Sequence, residues 1–186
     1  MDNSCTVSTP LDPKCSLQSA PEEEEAFEQN LYQQMIGSLM YLVTCTHPDL
    51  AHVVSFLSTF SARPLSCHHI AVKRVFKYIW TTRSLSLKYP KPSRPTALVL
   101  DGYSDASYAN CLNTRRSYSG YAFSIGQCLI SWVSKKQQSV ATSTTEAEYM
   151  ALSLTARQAV WYQHAFHEMN LKSPLSFIAT TNLQST

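Results

Sequence analysis

The chain has 186 residues, a net charge of +2, 44% apolar residues and 15% charged residues. That length allows one or two domains with a sizeable core, while so small a net charge leaves only local basic clusters as candidates for contact with polyanions. No apolar run approaches the ~20 residues of a membrane span, and the polar stretch from Met1 to Pro10 lacks the apolar centre of a secretory signal. The six cysteines contain no two-residue-spaced pair of the zinc-knuckle kind, so they are expected to be reduced thiols inside a cell, with no membrane partner.

Residues 1–18, with Pro10 and Pro13 and no periodicity, read as an extended leader. Residues 19–88 read as three amphipathic helices. The first opens at Ser19-Ala-Pro-Glu22, a capping-box spacing, and Glu22 to Glu25 put negative charge at the positive end of the helix dipole. Ile36, Leu39, Met40 and Val43 then repeat at i, i+3, i+4 and i+7 as one apolar face. The second opens at Thr46-His-Pro-Asp49, carries Leu50, Val53, Val54 and Leu57 on one face, and stops by Pro64. The third opens near Ser66, with Val72, Val75, Phe76 and Ile79 as its stripe and Lys73, Arg74 and Lys77 on a solvated face.

Residues 89–97 contain Pro90, Pro92 and Pro95 and read as a linker. From there the period changes to that of strands. Leu98 to Asp105, Tyr118 to Ile125 and Cys128 to Ser134 read as three strands, the last two joined by a turn at Gly126-Gln127. A long helix begins with the capping box Ser143-Thr-Thr-Glu146 and keeps helical spacing through Ala147, Met150, Ala151, Leu154, Trp161 and Ala165. Ser176 to Ala179 closes the order as a last short strand. Trp132 and Trp161 are expected in the core. His164 and His167 have the spacing of helical metal ligands but lack an evident third, which favours a structural or surface role.

Four segments carry a resemblance. They are Tyr103-Ser-Asp-Ala-Ser107, Thr114 to Tyr121, Ile130 to Gln137 and Ser143 to Leu152, in that order. Together they resemble the ribonuclease H region of copia-type retrotransposon polyproteins. Tyr32 to Tyr41, Thr46 to Leu50 and Ala71 to Val75 resemble the segment that joins polymerase to nuclease in the same family, with His47 where arginine is usual and Thr81 where glycine is usual. The resemblance implies an α+β chain: a helical connection subdomain over 19–88, then an incomplete ribonuclease H-like fold over 98–186. In that fold three antiparallel strands are followed by a long crossover helix and a fourth strand parallel to the first.

The family's activity, cleavage of RNA in RNA–DNA hybrids, implies two Mg²⁺ ions roughly 4 Å apart held by converging carboxylates. Asp105 matches the first of the family's four acids and Glu148 the second; Glu146 reads as a dipole-stabilising acid of the first turn. The third acid's position falls near Thr180-Thr-Asn-Leu-Gln-Ser185, and no aspartate follows Asp105. The fourth would lie past Thr186. The resemblance therefore implies a fragment of a reverse transcriptase/ribonuclease H polyprotein, other regions of which would be its partners. It is expected to be inactive as a nuclease and, lacking any Asp-Asp pair, to have no polymerase site. Two further readings remain open: a nucleic-acid-binding remnant using Arg115, Arg116, Lys135 and Lys136 on backbone phosphates, or an inert gene fragment.

Overall fold

A computed structural model describes residues 6–12, 17, 26–90, 99–111, 113–126 and 128–171, together with the backbone of Leu175–Ala179. The chain divides into two compact units, Met1–Ser86 and Leu87–Thr186. Ser19, the acidic run Glu22 to Glu25, most of the proline-rich linker and Thr180 to Ser185 lie outside the described residues, but the first helix begins at Gln29 and not at Ser19, since Ala26, Phe27 and Glu28 lie outside any helix.

The first unit is helical: α1 (Gln29–Cys45), a 3-10 turn (Pro48–Leu50), α2 (Ala51–Ser58) and α3 (Ser66–Thr82). Its core gathers Tyr32, Ile36, Leu39, Leu50, Val54, Leu57, Val72 and Val75. Met40, expected on the apolar face of α1, is 53% exposed. The buried line runs instead through Tyr32, Ile36 and Leu39, with Val43 packed beside it, and Met40 falls about one 100° step off that line. A tyrosine is accommodated there because its hydroxyl donates to the Leu57 carbonyl at 2.9 Å, and burial holds the phenol well above its usual pKa.

The second helix starts differently from its predicted cap. Pro48 opens a 3-10 turn, and Asp49 accepts a hydrogen bond from Tyr78 of α3 at 2.8 Å instead of capping α2. At the start of α3, the buried His68 accepts from the Leu65 N–H at 3.1 Å through Nδ1 and stacks on Phe60 with ring centroids 3.9 Å apart. Thr9 is held against α3: Arg74, predicted to be solvated, donates to the Thr9 carbonyl and hydroxyl at 3.3 and 3.1 Å.

The second unit is a four-stranded sheet with one long helix: β1 (Leu100–Ser107), β2 (Tyr118–Ile125), β3 (Cys128–Lys136), α4 (Thr144–Glu168) and β4 (Leu175–Ala179). Strand order is β3-β2-β1-β4. The first three strands are antiparallel to their neighbours, and β4 runs parallel to β1 after the crossover through α4. Gly126 makes the tight β2–β3 turn at φ +61°, a conformation that costs glycine little.

Leu100, Phe123, Ala159 and Phe166 form the core between sheet and helix. Glycine stands at position 102 for a packing reason: a Cβ there would lie 2.7 Å from a ring carbon of Phe123. The sheet-facing line of α4 includes the small residues Ala147, Ala151, Thr155 and Ala159, which let the helix sit close to the strands. Trp161 lies off that line. It is 59% exposed rather than a core residue, with its ring edge-on to Tyr162 at 5.1 Å, and Trp132 is only half-buried.

Candidate functional site

The long helix is started by local chemistry. Ser143 Oγ accepts the Glu146 N–H at 3.1 Å. The Glu146 carboxylate accepts from both the N–H and the hydroxyl of Thr142 at 2.6 Å, one residue earlier than a capping box would place it. Those bonds hold the Glu146 carboxyl below its usual pKa. The helix is then fixed to the sheet by two polar contacts. Thr155 Oγ1 donates to Ser104 Oγ of β1 at 3.0 Å, with both side chains buried. Gln137, just past β3, donates through Nε2 to Ser119 Oγ at 2.9 Å and to the Ala147 carbonyl at 3.0 Å.

These contacts set where Glu148 goes. Asp105 follows Ser104 on β1, and Ser104 pairs with Ala179, the last described residue of β4. Glu148 reaches the same place from α4, and its carboxylate accepts a hydrogen bond from the Ala106 N–H. Burial raises the pKa of Glu148, the charge of Asp105 raises it further, and the Ala106 N–H partly offsets both. Two like charges thus face one another at the end of a strand, one exposed and one half-buried.

A direct consequence is testable. A carboxyl whose folded pKa lies above its unfolded value contributes stability below the unfolded pKa and loses it as pH rises through the folded pKa. At neutral pH the ionised Glu148 is therefore a liability. Glu148→Gln is expected to raise Tm by roughly 1–2 °C at pH 7, a small effect because the group is solvent-screened. Thermal melts at pH 7 and pH 4 check this: the gain should vanish at pH 4, and a loss at pH 7 would contradict it.

Repulsion between two carboxylates is what a hard cation relieves, and oxygen donors suit Mg²⁺. Asp105 and Glu148 are the residues that would hold such an ion. Among the described residues no three His, Cys, Asp or Glu side chains converge, so two closely spaced ions would lack ligands. His164 and His167 are exposed on α4.

The basic candidates lie at the same end of the sheet. Lys135 is paired in register with Ser119, which pairs with Ala106; at ~4.8 Å per strand, its backbone is about 10 Å from that of Ala106. Arg115 and Arg116 are exposed in the β1–β2 loop, Arg115 at φ +52°. Backbone bonds close this loop: the Arg115 N–H donates to the Cys111 carbonyl at 2.7 Å, and the Cys111 N–H donates to the Arg116 carbonyl at 3.1 Å. Lys136 is half-buried and bonded to the Cys111 thiol. Burial pushes that thiol up, but Lys136 and Thr114 together bring it down to about 7. Sequence reading overlooked Cys111, Gln137 and the Ser104–Thr155 pair. Thr155 at i+8 from Ala147 was visible as a sheet-facing position and Gln137 as the last residue of the Ile130 to Gln137 segment, whereas Cys111 carries no local signal.

The second unit thus sets a carboxylate pair at the end of β1 in a mixed sheet. Comparison with known proteins narrows this. Over 176 residues the chain is 39% identical to a retrovirus-related Pol polyprotein from transposon TNT 1-94 of Nicotiana tabacum, covering 92% of this chain and 13% of the polyprotein. It is 34% identical over 168 residues to the Pol polyprotein from transposon RE1 of Arabidopsis thaliana, covering 89% of this chain and 11% of that one. It is also 45% identical over 130 residues to secreted RxLR effector protein 161 of Plasmopara viticola, covering 70% of this chain and 89% of that protein. No family model matches, and no solved structure matches. The chain belongs to the family of copia-type retrotransposon Pol polyproteins and corresponds to a fragment of one.

Proposed function

We propose that the second unit is a ribonuclease H-like fold holding two of the family's four metal-binding acids, and that this chain binds RNA–DNA hybrid without cleaving it efficiently. The observation that carries the reading is the meeting of Glu148 with Asp105 near the end of β1. When bound, Mg²⁺ would supply charge neutralisation and an activated water at that point. The protein's own part is to hold the pair in place and to set exposed Arg115, Arg116 and Lys135 against backbone phosphates nearby. Lys136 acts differently from the expectation for a phosphate contact, since its ammonium is engaged by Cys111.

Mn²⁺, standing in for Mg²⁺, tests the site without any nuclease assay. Paramagnetic resonance of free Mn²⁺ should show one weak site on the 186-residue chain, with affinity falling at least ~10-fold in Asp105→Asn. Equal binding by parent and variant would place the ion elsewhere and sink the reading.

A further inference from the structure

We propose that Gln137 is a positioning residue for the acid pair, closing a ring of contacts that fixes Glu148 against Asp105; this rests on the reading of that pair as a metal site. The ring has four links. Gln137 Nε2 donates to the Ala147 carbonyl at 3.0 Å, and Ala147 is the residue before Glu148 on α4. Glu148 accepts from the Ala106 N–H. Ala106 is the cross-strand partner of Ser119 on β2. Ser119 Oγ accepts from the same Nε2 at 2.9 Å, which returns to Gln137.

The backbone of Gln137 is pinned as well, its N–H donating to the Ser117 carbonyl at 2.8 Å. Only a primary amide of this length suits the position. Its two Nε2 hydrogens serve two acceptors at once, one on the sheet and one on the helix. Glutamate has the shape but no donor, and leucine has neither. Gln137 is 7% exposed, and its Oε1 accepts from no donor among the described residues. Burying an amide that leaves its acceptor unused is unfavourable, where an apolar side chain would fill the space freely. What the amide adds is the pair of Nε2 bonds, and those bonds set the distance from helix to strand at the acid pair.

The amide proton of Ala106 reports this without metal or substrate, because it lies in the hydrogen bond to Glu148. In the full chain, Gln137→Leu and Gln137→Glu should move the Ala106 amide proton upfield as the Glu148 carboxylate retreats. Mn²⁺ affinity should fall ~10-fold or more. Thr155→Val provides the contrast: it removes the other polar pin of α4, so it should lower stability while leaving the Ala106 resonance in place. If Gln137→Leu does not fold, Ser119→Ala removes a single acceptor and should give the same upfield movement, smaller in size. A folded Gln137→Leu protein with an unmoved Ala106 amide and parental Mn²⁺ affinity overturns the proposal. Should the parent itself bind no Mn²⁺, the metal reading fails, and the amide shift alone still decides whether Gln137 positions Glu148.

Discussion

Phe123→Ala is expected to cost the second unit ~3–5 kcal/mol, the range for removing a fully buried phenyl ring. Phe123 has no exposed surface and sits at the centre of the sheet's covered face. Its ring meets Tyr162 of α4 at 5.3 Å and Tyr121 at 5.4 Å, and it fills the space that Gly102 leaves open across the β1–β2 ladder. Gly102 has no side chain and Ala159 is short, so neither fills the gap. With domain stabilities of ~5–15 kcal/mol, that loss leaves the unit marginal, with Tm lowered by roughly 15 °C or more. Amide exchange of the β1 and β2 residues measures it directly. A variant whose strand amides exchange as slowly as the parent's would show that the sheet–helix core lies elsewhere.

Incubation of the 186-residue chain with an end-labelled RNA–DNA hybrid and Mg²⁺ should yield no cleavage above the buffer control. Efficient hydrolysis needs ligands enough for both the attacking and the leaving oxygen, and here two carboxylates converge. Loss of a supporting group alone typically costs ~10–100-fold in affinity or activity, and missing first ligands should cost more. The hybrid should nevertheless be retarded on gels, because Arg115, Arg116 and Lys135 are exposed at the same end of the sheet. Each phosphate they neutralise should contribute about −0.9 to the slope of log affinity against log salt. Replacing all three by alanine should therefore flatten that slope by roughly 2–3. Cleavage that Asp105→Asn abolishes would show a working metal site and refute the account of inactivity. Neither cleavage nor retardation, from folded protein, would favour an inert fragment.

Much of the strand unit was legible before any coordinates. Tyr118–Ile125 was read with its final bounds, β1 was read two residues early, and the Ser143 start of α4 came from a short-range capping pattern. Such features are local: alternation, helical repeat and caps are decided within a few residues. Asp105 and Glu148 were proposed through motif order rather than periodicity, and their closeness could not be read that way. Expectations failed where burial depends on which partner arrives. Met40 and Trp161 fit their helical patterns but fell on the outside, because the packing line of α1 passes through Tyr32 and that of α4 through small residues.

What the sequence determined by itself is the succession of elements and the family, since each is written in short contiguous patterns. Only the tertiary structure decided that Glu148 meets Asp105, that Ala106 offers its N–H to Glu148, and that Gln137 ties Ala147 to Ser119. The reason is physical. A polar group's role depends on which donors and acceptors are brought within about 3 Å of it once water is excluded, and those groups come from positions 10 to 51 residues apart along the chain.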